Sequence, residues 1–363
     1  MISVKSDRTH YIENINRDMI GQEVILGGWV EDLRKMGKMT FLTLRDATGI
    51  TQIILTSDVM KSIGDITRQS VVRVIGKIQD TRARDFECEI KADEINILAK
   101  AVHPLPIDPI GRLESHIDNR LNSRALDMRN QKTASIFKIR HHVLTSLRKT
   151  FIENKFTEIT TPKIIGSASE GGANLFSLDY FGKQAYLAQS PQLYKEQMTI
   201  GLERVFEIAS FYRAEKSHTG RHLSEFTSVD LEAAFMDYTD VMNVLENLVL
   251  NTFKYVSENC TEEQKIIGNE IVVPNNPFKK ITYSQALDEL NGKDTKLEFG
   301  NDLLDSHLRI LGESHPEFYF ITDWPLKLKP FYIMEKEDDP NLSESFDLQY
   351  GYLELSSGGT RLH

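Results

Sequence analysis

The sequence predicts an α+β protein in two parts: a small closed β-barrel, then a larger domain whose antiparallel sheet is flanked by helices. Three observations predict this. Residues 20–100 hold five or six short β-rich runs, several of them alternating with period two. The stretch His103–Pro109 carries three prolines, which stiffen the chain and mark a boundary. From Gln131 the apolar spacing becomes helical, and later strands and helices do not alternate as a parallel sheet would require.

The runs Val24–Val30, Met39–Asp46, Ile50–Leu55, Val71–Ile78, Phe86–Ala92 and Glu94–Leu98 are the expected barrel strands. Val72, Val74 and Ile78 alternate, as do Phe86, Cys88 and Ile90. An OB-fold is a common way to close so few short strands. The expected domains are therefore an OB-fold over 1–102, a hinge over 103–130 and a larger domain over 131–363. In the last, Ile136, Ile139, Val143, Leu147 and Phe151 make Lys132–Asn154 a long amphipathic helix. Val205–Arg213 and Phe226–Phe235 flank the polar loop Ala214–Glu225 as a long antiparallel hairpin. Tyr238–Asn259 reads as a second amphipathic helix. Tyr319–Thr322, Phe331–Met334 and Phe346–Leu355 read as further strands.

Composition narrows the function. Of 363 residues, 40% are hydrophobic and 26% charged, enough for packed cores. Lys and Arg number 43 against 53 Asp and Glu, a net charge of −10, which excludes a strongly basic nucleic-acid coat but not local basic patches. Two distant cysteines, Cys88 and Cys260, rule out a disulfide framework and a thiolate zinc site of ordinary spacing, and they suit a reducing cytosol. No run of 18 apolar residues and no signal-peptide core is present, so the expectation is a cytoplasmic protein without membrane contact.

No Walker-type G-x-x-x-x-G-K-[ST] loop and no G-x-G-x-x-G follows a strand, so a nucleotide site must be built from side chains. The hairpin offers one. Arg213 and Glu215 are two residues apart, and on a strand they share a face. One can clamp a phosphate while the other accepts from an amino group. Phe226 offers a stacking surface. A solvated hairpin with surface ion pairs is the bland alternative. A second constellation, Phe346 to Arg361, contains Asp347 and Glu354, oxygen donors of the kind Mg²⁺ takes beside substrate phosphates. Its Ser356-Ser357-Gly358-Gly359 turn lets a ligand approach the backbone.

Five ordered motifs carry a resemblance. They are Ile159-Thr160-Thr161-Pro162, Glu170-Gly171-Gly172, Ser190 through Lys195, Phe211 through Glu215 with Arg221-His222-Leu223, and Glu354 through Arg361. Together they resemble class II aminoacyl-tRNA synthetases of the aspartyl/asparaginyl/lysyl subgroup, and within it the aspartyl members of archaeal and eukaryotic type. The likeness runs from Gly28-Trp29-Val30 to Arg361. It implies a ligase that activates L-aspartate with ATP and Mg²⁺ and transfers it to tRNA, working as a homodimer and not on DNA.

The resemblance also implies roles. Arg213 matches the arginine on the α-phosphate and, with Glu354, the catalytic pair. Glu215 matches the reader of the adenine amino group, Phe226 the stacking ring, and Arg221 and His222 the loop residues on the outer phosphates. Ala214 and Leu223 complete the ATP set. Asp347 and Glu354, with Ser357 beside them, match the metal ligands. Glu170, Gln192 and Asp230 match the groups around the amino-acid ammonium. Lys195 and Arg361 match two cations on its side-chain carboxylate, and Arg213 and Ser357 complete the aspartate set. Two buried cations are costly unless an anion arrives, so the pair favours aspartate over asparagine. In the barrel, Leu42 and Leu44 facing the core would turn Phe41 outward as a stacking platform. Arg34, Phe41 and Gln52 match anticodon-binding residues in their spacing.

The family continues for some tens of residues beyond the position of His363, and that part holds its motif 3. The expectation is a fragment, rather than a paralogue that lost activation, and a chain ending at His363 is not expected to activate aspartate by itself. Two competing readings remain: an asparaginyl-tRNA synthetase and a catalytically inactive tRNA-binding paralogue. Which tRNA is charged, that for aspartate alone or also that for asparagine, is left open by the residues.

Overall fold

The period-two runs near the N-terminus close on themselves. In a computed structural model, which describes residues 7–167, 175–214 and 223–363, two compact units are separated, one up to Thr133 and one from Ala134. The first holds β1 (Glu23–Met36), β2 (Met39–Arg45), β3 (Ile50–Thr56), α1 (Ser57–Ile63), β4 (Val71–Gln79) and β5 (Glu89–Ala99). They form a closed barrel in the order β1-β2-β3-β5-β4, with β3 and β5 parallel. This is the OB-fold. Its core is the inward half of each alternating run: Val24, Leu26, Val30, Leu42, Leu44, Ile53, Leu55, Val72, Val74 and Ile90 are all buried.

The two strands expected at Phe86–Ala92 and Glu94–Leu98 are one strand, β5. The interruption at Asp93 is a β-bulge, because Ile75 pairs with Glu94 while Gly76 pairs with Ala92. Gly76 is needed there: a Cβ on it would lie 2.3 Å from the Lys91 carbonyl oxygen. Behind the barrel come α2 (Ile117–Asn122) and α3 (Arg124–Asp127). The buried Asp127 carboxylate accepts from Arg120 at 2.9 Å and Arg124 at 2.6 Å and pins both.

The second unit begins within α4 (Gln131–Glu153), one residue from the helix the periodicity predicts. It continues through β6 (Thr157–Glu158), β7 (Ile164–Ile165), β8 (Ser177–Tyr180), β9 (Lys183–Leu187), α5 (Gln192–Leu202), β10 (Arg204–Tyr212), β11 (Glu225–Ala233), α6 (Tyr238–Asn259) and α7 (Thr261–Ile267). Then follow β12 (Lys279–Thr282), α8 (Tyr283–Asn291), α9 (Asp305–Ser314), β13 (Phe318–Thr322), β14 (Ser345–Tyr350) and β15 (Leu353–Gly359). The sheets are β11-β10-β6, β12-β13-β14-β15 and β7-β9-β8. Most pairs are antiparallel, but β10 with β6 and β12 with β13 are parallel.

Asp237 starts α6 with a capping box. The helix then ties two sheets together. Met242 packs with Phe318, Phe320 and Phe346 of the four-stranded sheet, while Leu248 packs with Phe151, Phe156 and Phe206. Two expected strands are corrected. Phe346–Leu355 is a hairpin, β14 and β15, that turns at Gly351, whose φ is +56°. Phe331–Met334 is a turn with a single bridge from Ile333 to Arg361, because its partners are one residue wide.

Candidate functional site

In the second unit an open cavity of about 1930 Å³ is lined by Gln192, Lys195, Arg213, Phe226, Asp230, Asp347, Glu354, Ser357 and Arg361. Ala214 and Leu223 do not line it. Glu170, Glu215, Arg221 and His222 lie outside the described residues.

Local structure explains the gathering. On β11, Phe226, Ser228, Asp230 and Glu232 are spaced by two and share one face. On α5, Gln192, Lys195 and Glu196 fall within one turn. Lys195, 7% exposed, sends its Nζ to Asp230 Oδ1 at 3.2 Å and to within 3.6 Å of Glu232 Oε2. Arg361 donates to both oxygens of the same Glu232, at 2.8 and 3.0 Å, and lies 3.5 Å from Glu196. Burial alone would lower the Arg361 pKa; the pair with Glu232 outweighs it, and the net shift is upward.

These two cations therefore do not lack an anion until substrate arrives, contrary to the expectation from sequence. The chain supplies its own anion, Glu232, which bridges them. Glu232 and Glu196 were missed as site residues. For Glu232 a signal existed: it stands two residues after Asp230 and so shares its face. Gln192 donates to Glu196 at 2.6 Å, and Ser228 donates to Asp230 at 2.6 Å.

At the far end of the hairpin the Arg213 guanidinium lies over the Phe226 ring, 5.4 Å from its centre. The Arg213 backbone N–H donates to the Ser224 carbonyl at 3.0 Å and closes the hairpin one residue past β10.

Asp347 and Ser357 are directly opposite on β14 and β15. Glu354 and Ser357 are three apart and would face opposite ways on a regular strand. A bulge at Leu355 restores the parity, since Leu348 pairs with Ser356 and Gln349 with Glu354. Asp347, Gln349, Glu354 and Ser357 thus share one face. On the opposite face Gly358 makes room for Phe346: a Cβ there would lie 2.7 Å from its ring. Glu354 is exposed, whereas Asp347 is 5% exposed. Burial pushes the Asp347 carboxyl above its ordinary pKa, and Lys329 partly offsets this. Lys329 Nζ donates to both Asp347 oxygens, at 3.0 and 3.1 Å.

Among the described residues no group of three or more His, Cys, Asp or Glu forms a ready metal cage. The donor set still fits Mg²⁺, which takes one or two carboxylates and leaves other positions to water and phosphate. Gln349 Oε1 on the same face is buried without a hydrogen-bond partner, an acceptor left over at this end of the cavity.

In the barrel, Leu42 and Leu44 are fully buried and Phe41 points out, half-buried. Phe41 pairs with Arg34 on β1, and Gln52 on β3 pairs with Thr43, so all three occupy the outer face. Arg34 reaches that face only because of a bulge at Glu31, where Val30 pairs with Leu44 and Asp32 with Thr43. The Gln52 amide donates at 2.6 Å to Glu89, a buried carboxylate that also accepts from Gln79 and Thr81. Glu89 was another residue the sequence reading missed.

Residues 116–363 match the family described as tRNA synthetases class II (D, K and N), and residues 24–98 match the OB-fold nucleic acid binding domain. The chain is 43% identical to an Aspartate--tRNA(Asp/Asn) ligase of Methanothermobacter thermautotrophicus, over 98% of this chain and 83% of the relative. It is 45% identical to the ligase of that name from Sulfurisphaera tokodaii, over 98% and 84%. Among solved structures, an asparaginyl-tRNA synthetase of Pyrococcus horikoshii with asparaginyl-adenylate superposes with a TM-score of 0.89 at 31% identity, covering 99% of this chain and 84% of that one. An aspartyl tRNA synthetase of Entamoeba histolytica gives 0.83 at 26% identity, covering 99% and 79%.

Proposed function

The chain belongs to the class II tRNA synthetases of the aspartate, lysine and asparagine group, and we propose that it is an aspartate–tRNA ligase serving the tRNAs for aspartate and for asparagine. It activates L-aspartate with ATP to the adenylate and passes the aspartyl group to tRNA. The observation that supports this most is that Lys195 and Arg361 converge on Glu232 in the cavity that also holds Arg213 and Phe226.

Shared lining of one cavity supports the roles of Gln192, Lys195, Arg213, Phe226, Asp230, Asp347, Glu354, Ser357 and Arg361, and the motif resemblance alone supports the others. Phe226 stacks the adenine, and Arg213 takes the α-phosphate, leaving the ring it covers when nucleotide enters. Glu215, Arg221 and His222, with Ala214 and Leu223, belong to the same nucleotide loop. Asp347, Glu354 and Ser357 would hold Mg²⁺, which when bound would neutralise charge on the phosphates. Asp230, Gln192 and Glu170 receive the ammonium. Lys195 and Arg361 share their donors between Glu232 and the incoming side-chain carboxylate; asparagine offers an amide there and loses the charge-assisted contacts.

The aspartate α-carboxylate attacks the α-phosphorus in line. A P–O bond to it forms as the bond to pyrophosphate breaks, and no general base is needed because the nucleophile is already an anion. Arg213 stabilises the charge on the five-coordinate phosphorus. A ribose hydroxyl of tRNA then attacks the carbonyl carbon, the ester forms as the bond to AMP breaks, and the hydroxyl proton leaves with the AMP phosphate. Arg34, Phe41 and Gln52 bind the anticodon, with Phe41 stacking on an unpaired base.

The reading includes a C₂ homodimer through α4, whose Ile136 and Ile152 are 56% and 63% exposed; a monomer in sedimentation at micromolar concentration would remove this part. Work on tRNA fits the cytoplasm, and no described helix is long and apolar enough to cross a membrane. The activity is tested by equilibrium dialysis of labelled amino acids against the protein with ATP. Retention of aspartate but not asparagine or lysine is expected, and preferential retention of either competitor sinks the reading.

A further inference from the structure

We propose that Lys329 is a resident counter-ion of the metal site: a positioning residue whose ammonium holds the Asp347 carboxylate in place of the divalent ion until nucleotide brings one. The inference rests on the reading of Asp347 as a metal ligand and adds a residue that the motif resemblance does not include.

Five observations carry it. Asp347 is buried, and a buried carboxylate is held by a partner or loses its charge. Lys329 Nζ donates to both of its oxygens, at 3.0 and 3.1 Å, so the atoms a metal would take are the atoms the ammonium takes. The ammonium also sits 4.3 Å from the centre of the Trp324 ring, a second cation-attracting surface that keeps it in the cavity wall when the carboxylate is taken away. Lys329 follows the short 3₁₀ helix Leu326–Leu328 at its C-cap, on an irregular segment, and its flexible four-carbon stem lets the charge move without the backbone. Gln349 Oε1, on the same face as Asp347, is buried without a hydrogen-bond partner, an acceptor the lysine does not use.

The two cations repel at one carboxylate, so the lysine keeps the site closed to free metal and open to metal that arrives with phosphates. The site then fills in one event, nucleotide and ion together. An arginine would hold the same oxygens with a rigid fork and exchange less readily.

The test uses Mn²⁺ followed by electron paramagnetic resonance on the full protein. Without nucleotide, Lys329→Met is expected to bind Mn²⁺ about tenfold tighter than the parent, and Lys329→Arg no tighter. Melting of Lys329→Met in metal-free buffer is expected to fall, and Mn²⁺ to raise it by more than it raises the parent. Should Lys329→Met not fold, Lys329→Gln removes the charge while keeping a donor for Asp347 and carries the same expectation. A folded neutral variant with unchanged Mn²⁺ affinity, or with no extra metal-induced stabilisation, overturns the proposal. Asp347→Asn separates the two claims. If it loses ATP-dependent Mn²⁺ binding, the metal reading stands whatever Lys329 does; if it keeps that binding, the metal reading falls and this inference with it.

Discussion

Replacing Lys195 with methionine keeps the length of the side chain and removes its charge. The ammonium lies 3.2 Å from Asp230 and 3.6 Å from Glu232. At an effective dielectric of about 20 each contact is worth about 5 kcal/mol gross, but most of that is offset by the cost of desolvating the ions. Removing one partner of a buried pair commonly costs about 3–5 kcal/mol. Here the loss falls near the lower end, because Arg361 still holds Glu232 with two bonds and Ser228 still donates to Asp230. A contact to the incoming aspartate carboxylate is worth about 2–5 kcal/mol. Since the lysine already serves two carboxylates, about 2 kcal/mol is expected, a loss of about thirtyfold in aspartate affinity. ATP affinity should change less than about twofold, as its groups lie at the other end of the hairpin. The assay is calorimetric titration of aspartate and, separately, of ATP into Lys195→Met and the parent, with circular dichroism to establish folding. Unchanged aspartate affinity in a folded variant would take Lys195 out of the site. Parallel loss of both ligands would mean the change acts through the fold.

Phe41→Ala should weaken binding of an anticodon stem-loop by about 1–3 kcal/mol while leaving aspartate and ATP binding unchanged; damage to all three would make Phe41 a core residue. Tyr319 gives a pH prediction. It is 1% exposed, its hydroxyl has no hydrogen-bond partner, and burial pushes its pKa up to about 12. Because the folded value exceeds the unfolded value of about 10, its contribution is full below pH 10 and is lost as pH rises towards 12. Up to about 3 kcal/mol is at stake. Tyr319→Phe should leave the melting temperature at pH 7 unchanged or higher and should shrink the fall between pH 10 and 12; an identical alkaline fall in both proteins would contradict this.

Elements with a strong local period were legible in the sequence. The barrel strands, α4, α6 and the β10–β11 hairpin come from spacing alone, since burying one face fixes where apolar residues stand. What spacing could not show is where the period breaks. Arg34 and Glu354 each reach their faces through a bulge, at Glu31 and Leu355, and a strict alternation would have turned both away. A bulge at Asp93 looked like a strand end for the same reason. Chain-distant pairs were equally hidden. Lys329 is 18 residues from Asp347 in an irregular segment, and Glu89 is 37 from Gln52, so only the folded chain brings them together. Glu232 was legible in principle, and its omission made Lys195 and Arg361 look unpaired when the fold provides their anion.

Selection of aspartate for transfer to tRNA is the role proposed for the side-chain pocket at Lys195 and Arg361. It is tested by aminoacylation with labelled aspartate or asparagine and transcripts of the tRNAs for aspartate and asparagine. Aspartyl esters are expected on both transcripts and none with asparagine. Asparaginyl ester on either transcript would contradict it, because a pocket holding Lys195 and Arg361 on Glu232 would then have accepted the amide it is argued to reject.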